Sequence, residues 1–283
     1  MNHTIQNDKI TATFSSLGAE IISVKKGEKE YIWQNPTGEW KGHAPLLFPV
    51  CGRCGVKVNG VAYPIPFHGV ARQREFTVET QSEDSITFTL KSDCGTKKEY
   101  PFDFIFRVTY ALQDDTLSIS FAVENPANET LYFACGSHEA YALDGQVNEY
   151  EVEFEKEEDL QNYLVGDDMG HISGETQNLG TKKVFPLPLE CLQNSDSIIL
   201  KHIRSRKLTF RKIGGEEVVE LGFDGFQNLL FWRAMDGKFI CIEPWTNLPD
   251  LTNTEDIEFS TKDGVMAVAP LDTKTLVRTI RFI

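Results

Sequence analysis

Alternation of apolar and polar side chains with a period of two is the feature that most constrains how this chain folds. Residues 104–110 read FIFRVTY and residues 117–124 read LSISFAVE. Because successive side chains of a β-strand point to opposite faces, this period predicts strands with one buried face. Further runs interpreted as strands are 86–92, 148–155, 207–212, 217–223, 228–233, 238–245, 264–270 and 275–283.

Turn-forming pairs such as Asn125-Pro126 and Gly214-Gly215 separate these runs. No window predicts a convincing amphipathic helix longer than about three turns. Residues 155–163, which read EKEEDLQNY, are interpreted as a short helix or an acidic loop. Neither a repeat period nor a Pro/Gly/Ser-rich linker divides the chain. We therefore predict an all-β fold, one large antiparallel β-sandwich, and a single domain over residues 1–283.

The balance of charges indicates which partners the protein can have. The net charge is -14, with 28 basic and 42 acidic residues. A nucleic-acid-binding protein needs a basic stripe to neutralise phosphates, and an anionic membrane surface attracts basic segments. The composition therefore disfavours nucleic acid and membranes as partners and favours a neutral small molecule, although a local arginine cluster could still hold an anion.

The N-terminal segment MNHTIQNDKI has no apolar core or basic leader, and no stretch reaches 18 apolar residues. We accordingly expect a cytoplasmic protein whose six cysteines are reduced thiols. Cys51 and Cys54 have the spacing of a zinc knuckle, but no second pair of ligands follows at the required distance. No metal site is therefore expected.

Two early segments interrupt the strand pattern with basic side chains. In APLLFPVCGR (residues 44–53), Arg53 follows a glycine that permits a sharp turn, so its guanidinium could point into a cavity. The alternative is a surface arginine at the end of a strand. In FHGVAR (residues 67–72), His68 could bond a sugar hydroxyl near neutral pH, with Arg72 four residues later. The alternative for His68 is a structural role.

Two later segments carry groups suited to proton transfer. In CGSHEAY (residues 135–141), the ordinary pKa of His138, about 6.5, suits a general acid or base. Its alternative is a partly buried histidine that bonds a backbone carbonyl. In ICIEPW (residues 240–245), Glu243 ends an apolar strand, where desolvation raises the pKa of a carboxyl group. Its alternative is a buried ion pair with Arg233.

In order and spacing, the segments APLLFP…GR, FHG…AR, G-x-H and IEPW resemble the aldose 1-epimerase (galactose mutarotase) family, in particular its LacX-like branch. The resemblance extends from residue 18 to the C-terminus. It implies a large β-sandwich and anomer interconversion without a metal or cofactor. One departure is the continuation after Arg53, which reads GRCGVKVNG where family members keep Asn or Arg-Ile.

The resemblance also implies a role for each matched residue. His138 matches the general acid that protonates the ring oxygen, and Glu243 matches the general base that takes the anomeric proton. His68 matches a histidine that orients the substrate, and Arg53 matches a sugar-binding arginine. Asp196, in NSDSIIL, is the best match for a substrate-binding aspartate.

Aromatic and basic residues near these motifs are compatible with more than one function. Trp232 or Trp245 could provide an apolar platform for a sugar face. A hexose 6-phosphate is a second possible substrate, with Arg72, Arg74 and Lys57 near Arg53 as the anion-binding groups. A non-catalytic carbohydrate-binding sandwich and a glycoside hydrolase also compete with the mutarotase. A hydrolase would need a second carboxylate with surroundings like those of Glu243.

Overall fold

Antiparallel pairing between strands builds the fold of the computed structural model, which describes residues 1–166, 170–193, 196–252 and 257–283. The strands are β1 (Asn2–Gln6), β2 (Ile10–Ser15), β3 (Ile21–Lys26), β4 (Lys29–Glu30), β5 (Leu46–Leu47), β6 (Val56–Val58), β7 (Val61–Tyr63), β8 (Thr77–Gln81), β9 (Ser85–Lys91), β10 (Ile105–Gln113), β11 (Thr116–Glu124), β12 (Leu131–Phe133), β13 (Gly136–Ser137), β14 (Glu139–Ala142), β15 (Tyr150–Val165), β16 (Ile172–Pro186), β17 (Ser197–Leu200), β18 (Lys207–Lys212), β19 (Glu217–Gly222), β20 (Asn228–Trp232), β21 (Phe239–Trp245), β22 (Met266–Val268) and β23 (Thr273–Phe282).

Helical structure is confined to short segments in the described ranges. The one α-helix there, α1, spans Thr96–Glu99. The 3-10 turns are Ala71–Gln73, Val147–Glu149, Leu189–Cys191 and Phe259–Thr261. None of the helices in these ranges has the length and apolar character needed to span a lipid bilayer.

A 15-stranded sheet forms most of the molecule, and β1 to β4 form a separate four-stranded sheet. Strand β10 alternates buried and half-buried positions along its length, as expected for a strand with one face in the core. The two sheets pack face to face, and the ring centres of Phe14 on β2 and Tyr110 on β10 lie 4.4 Å apart. Tyr110 donates a hydrogen bond to the carbonyl oxygen of Ala19. The predicted antiparallel β-sandwich is confirmed.

The interpretation of residues 155–163 as a short helix or acidic loop is wrong. These residues belong to β15, which pairs with β16, β17 and β18. Glu158, Leu160 and Asn162 are buried at alternate positions. The backbone of Ser205 satisfies the Glu158 carboxylate, since its N–H donates to Oε1 over 2.6 Å. Strand pairing thus overrides the helical propensity of the Glu and Lys residues in this segment.

Four neighbouring strands bring distant parts of the chain together. Strand β21 pairs on one side with β20 and on the other with β13 and β14. Gly136 lies opposite Trp245, and Glu139 lies opposite Ile242. His138 sits between these two pairs and is therefore held beside Glu243 on the adjacent strand.

Candidate active site

A cavity of about 610 Å³ opens beside β13, β14, β20 and β21. Its aromatic lining residues are Trp40, Phe67, Trp232 and Trp245. Its charged and polar lining residues are His68, Arg72, His138, His171, Glu190, Gln193, Asp196, Ser197 and Glu243. A concave site with aromatic walls and a few convergent polar groups is typical of small-molecule binding.

His138 and Glu243 form a buried polar pair in this lining. Nε2 of His138 lies 3.3 Å from Oε2 of Glu243, and the two residues are 7% and 1% exposed. Oε2 of Glu243 and Nδ1 of His138 have no hydrogen-bond partner among the described residues. Because buried polar atoms are rarely unsatisfied, these two atoms indicate a place for a ligand that brings its own polar groups.

Burial determines the electrostatics of the pair. It raises the pKa of Glu243 well above its ordinary value, and the nearby charge of Glu139 adds to the rise, although Trp245 opposes it. Burial also lowers the pKa of His138 to about 3, helped by the positive charge of Arg72. Both shifts favour uncharged forms, so the proton of the pair rests on the carboxyl group.

Aromatic rings fix the imidazole of His138. The indole of Trp40 stacks on it with ring centres 5.2 Å apart, and Trp232 meets it edge-on at 5.4 Å. Nε1 of Trp33 donates to the carbonyl oxygen of Trp40, which holds the loop that carries Trp40 in place. Sequence reasoning missed Trp40, since its only signal was an isolated tryptophan in a polar stretch without a strand pattern.

His68 is held by two hydrogen bonds to Gly52. The N–H of His68 donates to the carbonyl oxygen of Gly52, and the N–H of Gly52 donates to Nδ1 of His68, both over 3.0 Å. Since Nδ1 accepts, the ring proton is on Nε2, which can donate to a ligand. Burial lowers the pKa of His68 well below its usual value, and the positive charge of Arg72 adds to the fall, so the ring is neutral.

The local backbone beside His68 depends on glycine. His68 has a φ of 63° and Gly69 a φ of 78°. A Cβ atom at Gly69 would overlap the carbonyl group of Phe48. Position 69 therefore requires glycine. The left-handed backbone at residues 68 and 69 turns the His68 ring toward the cavity.

The arginines predicted from the sequence, Arg53 and Arg72, both lie near the ring of Phe67. The guanidinium carbon of Arg72 is 5.7 Å and that of Arg53 is 5.8 Å from the centre of the Phe67 ring. Arg72 is half-buried and lines the cavity, whereas Arg53 is exposed and lies outside the lining. On the wall formed by the segment after β16, Asp196 is exposed and its Oδ1 accepts from the N–H of Ser197.

For a sugar substrate, as the resemblance implies, we expect His68→Asn to lower kcat/KM by roughly fivefold, because one neutral hydrogen bond contributes about 1 kcal/mol. Asparagine tolerates left-handed backbone, so the loop should keep its shape. His202 is a matched control, since it also has a positive φ, of 53°, but is exposed and lies outside the cavity lining. Equal kinetic effects of His68→Asn and His202→Asn would contradict a substrate-binding role for His68.

The structure brings together most of the residues singled out in the sequence. His68, Arg72, His138, Asp196, Glu243 and Trp245 all line this cavity, whereas Arg53 does not. Arg233 does not pair with Glu243; its Nε donates to the carbonyl oxygen of Leu192. His171, which lies in a polar stretch of the sequence, is buried and also lines the cavity.

Comparison with known proteins finds relatives that match most or all of this chain. The family model of the aldose 1-epimerases matches residues 1–178, which include His68 and His138. The LacX proteins of Lactococcus lactis subsp. lactis, plasmid and chromosomal, are 31% identical over 96% of this chain and 96% of their own length. A galactose mutarotase-like protein from Lactobacillus casei superposes with a TM-score of 0.90 at 27% identity, covering 100% of both chains.

A galactose mutarotase related enzyme from Lactobacillus acidophilus has a TM-score of 0.89 at 27% identity, over 100% of this chain and 97% of its own. The likeness to the LacX proteins spans almost the whole chain, including the segment with Glu243 that lies beyond the match to the family model. Fold and sequence thus agree, and the chain belongs to the aldose 1-epimerase family.

Proposed function

We propose that this protein is an aldose 1-epimerase that interconverts the α and β anomers of a hexose. One observation carries the proposal: a carboxyl group and an imidazole, 3.3 Å apart and both buried, face a cavity lined by aromatic and polar side chains. In the proposed reaction Glu243 is the base and His138 is the acid.

The short separation fits the chemistry. Ring opening removes the proton of the anomeric hydroxyl and delivers a proton to the ring oxygen, and both oxygens are bonded to the same carbon. The acid and the base must therefore both reach the oxygens of that one carbon, and a side-by-side arrangement allows this. A 3.3 Å pair can reach both oxygens at once.

The proton balance closes within one turnover. As Glu243 takes the proton from O1, the C1–O1 double bond forms and the bond from C1 to the ring oxygen breaks. The ring oxygen then accepts a proton from His138. After rotation about the C1–C2 bond, the carbonyl presents its other face and the same transfers run in reverse. Each positioned proton transfer typically contributes ~10²–10⁴-fold to the rate.

Sugar hydroxyls can stabilise the reactive ionic form of the pair, in which Glu243 is a carboxylate and His138 is an imidazolium. The carboxyl group holds the proton because burial disfavours charge on both partners. A hydroxyl that donates to Oε2 of Glu243 stabilises the carboxylate, and a hydroxyl that accepts from Nδ1 of His138 stabilises the imidazolium. Both atoms lack a partner among the described residues, so the sugar can shift the proton from Glu243 to His138.

The remaining contacts are assigned by position. In this proposal Nε2 of His68, the guanidinium of Arg72 and the carboxylate of Asp196 bind the other hydroxyls, while Trp245 packs against an apolar face of the sugar. Arg53 then supports this wall from outside through Phe67, in place of the direct sugar contact implied by the resemblance.

Charge in the cavity favours an uncharged hexose over a hexose 6-phosphate. Arg72 is accompanied in the lining by two exposed carboxylates, Glu190 and Asp196. Arg74, one of the arginines considered for phosphate, instead pairs with Glu99 over 2.8 Å. A phosphate at the mouth would be attracted by one arginine of the lining and repelled by the two acids.

A non-catalytic carbohydrate-binding protein and a glycoside hydrolase fit this geometry less well. A binding module needs an aromatic face but not a buried carboxyl group beside an imidazole. A hydrolase needs two carboxyl groups with distinct environments across one bond. Glu190 and Asp196 are exposed, so they lack the desolvation that distinguishes Glu243.

Exchange between anomers provides the test. Two-dimensional exchange NMR at anomeric equilibrium should show catalysed interconversion of the H1 signals of glucose or galactose, with faster exchange for glucose than for glucose 6-phosphate. Polarimetry of freshly dissolved α-D-glucose should show the same acceleration. Exchange of neither free hexose above the buffer rate would contradict the proposal, and faster exchange of glucose 6-phosphate would reassign its substrate.

A further inference from the structure

One cluster of potential metal ligands includes a thiol that the proposed reaction does not use. Cys241 lies two positions before Glu243 on β21, so the two side chains lie on the same face of the strand. The sulfur of Cys241, a ring nitrogen of His138 and a carboxylate oxygen of Glu243 all lie within 4.8 Å of one another. All three residues are buried.

We propose that Cys241, His138 and Glu243 form a binding site for a divalent transition-metal ion, Zn²⁺ above all, whose occupation inhibits the enzyme. Thiolate, imidazole and carboxylate are the three ligand types that zinc takes in proteins. Mg²⁺ and Ca²⁺ prefer sites built of oxygen ligands, so a site with sulfur and nitrogen selects against them.

Ligand charge matches a doubly charged ion. Thiolate and carboxylate together carry two negative charges, and a neutral imidazole adds none. A Zn²⁺ ion therefore makes the buried cluster electrically neutral, which removes the cost of burying isolated charges. The neighbouring Glu139 does not disturb this balance, since it is neutralised by Arg278 at 2.6 Å.

Geometry requires only a small adjustment. Tetrahedral bonds of about 2.0–2.3 Å place neighbouring ligand atoms roughly 3.3–3.8 Å apart. The 3.3 Å between Nε2 of His138 and Oε2 of Glu243 already fits one edge of such a tetrahedron. The Cys241 sulfur, within 4.8 Å of the others, has to approach by roughly 1–1.5 Å at most.

Two features other than ligand type support the metal site. They are the unsatisfied Oε2 atom of Glu243 and the side of the cluster that is open to the cavity. Oε2 of Glu243 is buried without a hydrogen-bond partner among the described residues, so coordination displaces no existing hydrogen bond. His138 and Glu243 line the cavity, whereas Cys241 lies beneath them beside Ala140 and Phe239. Three protein ligands with a fourth position toward the cavity would leave room for water or a sugar hydroxyl.

A bound metal ion would inhibit the enzyme because it would occupy lone pairs of His138 and Glu243 that the reaction uses. In the proposed reaction, which this consequence assumes, Nε2 of His138 and the Glu243 carboxylate exchange protons with the sugar. A metal ion bound to both removes that capacity and excludes the anomeric carbon from the same place. Zinc should accordingly inhibit in competition with the sugar.

Cobalt absorption tests binding without reference to activity. Adding Co²⁺ alone to the full chain should produce a thiolate-to-cobalt charge-transfer band in the near ultraviolet, and Zn²⁺ should abolish it by displacement. Cys241→Ala should lose the band, whereas Cys94→Ser, which removes the exposed cysteine, should retain it. No thiolate band in the wild-type protein, or an undiminished band in Cys241→Ala, would overturn the site.

Zinc inhibition of anomer exchange tests the consequence. Cys241→Ala should keep the uninhibited exchange rate and need at least about tenfold more zinc for half-inhibition, because a ligand is lost. Cys94→Ser should respond like the wild type. Equal zinc sensitivity of Cys241→Ala and wild type would overturn the inhibitory role. A cobalt band in a protein that fails to exchange anomers would reject the proposed function and leave the metal site standing.

If Cys241→Ala fails to fold, the wild-type protein alone decides the question. A saturating hexose that is shown to bind should suppress the cobalt band, because sugar and metal compete for His138 and Glu243. A band unaffected by that bound sugar would place the cobalt elsewhere and overturn the proposal.

Discussion

Glu243→Gln is expected to reduce catalysed anomer exchange by ~10²–10⁴-fold, because it removes the base that takes the anomeric proton. Glutamine keeps the size of the side chain, so the loss should appear in kcat with little change in KM. His138→Asn should have an effect of the same order. The double variant should be little slower than either single variant, since acid and base act in one event and their losses do not multiply.

The thermal stability of Glu243→Gln shows whether its loss of activity is catalytic or due to misfolding. The buried carboxyl group of Glu243 has a raised pKa and no hydrogen bond to Oε2 among the described residues, so a neutral amide at this position should not destabilise the fold. The thermal midpoint of Glu243→Gln should equal or exceed that of the wild type. Glu217→Gln, an exposed position on β19, is the matched control and should keep full activity.

Wild-type exchange rates in both Glu243→Gln and His138→Asn would reject the acid–base assignment. A large fall in the thermal midpoint together with loss of activity would instead point to a structural role for the pair. Exchange NMR and a thermal melt monitored by circular dichroism on the same samples distinguish these outcomes.

Glu139→Gln is expected to lower the free energy of unfolding by about 3–5 kcal/mol, because it leaves a fully buried guanidinium without its counter-ion. Glu139 on β14 and Arg278 on β23 are both completely buried, with 2.6 Å between Oε2 and Nη1. Nη1 of Arg278 also donates to the hydroxyl of Ser137. These contacts join the strand segment that carries His138 to another strand of the large sheet.

Arg278→Met should cost less than Glu139→Gln. A stranded carboxylate can take up a proton and become neutral, whereas a stranded guanidinium cannot lose its proton. The double variant Glu139→Gln/Arg278→Met should be more stable than the sum of the two single losses implies, because no charge is left buried. Urea unfolding of the four proteins yields the coupling energy directly.

An exposed ion pair serves as the control for this cycle. Lys97 and Asp103 are 2.6 Å apart, and both side chains are 44% exposed. Asp103→Asn should change the free energy of unfolding by no more than about 1 kcal/mol, because solvent screens this pair. A comparable loss for Glu139→Gln and Asp103→Asn would show that burial does not govern the energy of these pairs.

The sequence singled out the buried carboxyl and imidazole groups of the cavity more readily than the residues around them. Glu243 stood out because a carboxyl group at the end of an apolar strand is unusual in any fold. Trp40 and His171 did not stand out, since polar neighbours conceal whether a side chain points into a cavity. Arg53 matched the family motif. Its position beside Phe67 but outside the cavity lining depends on the path of a loop, and side-chain types do not specify that path.

Period-two alternation by itself determined that the chain forms strands with one buried face, because side chains on a strand alternate between two faces whatever strand lies beside it. It contains no information on partners, since backbone hydrogen bonds join strands of any sequence. Only the tertiary structure decided that β14 pairs with β21, with Glu139 opposite Ile242. That register holds His138 within 3.3 Å of Glu243, and the surrounding burial gives the two residues their shifted pKa values.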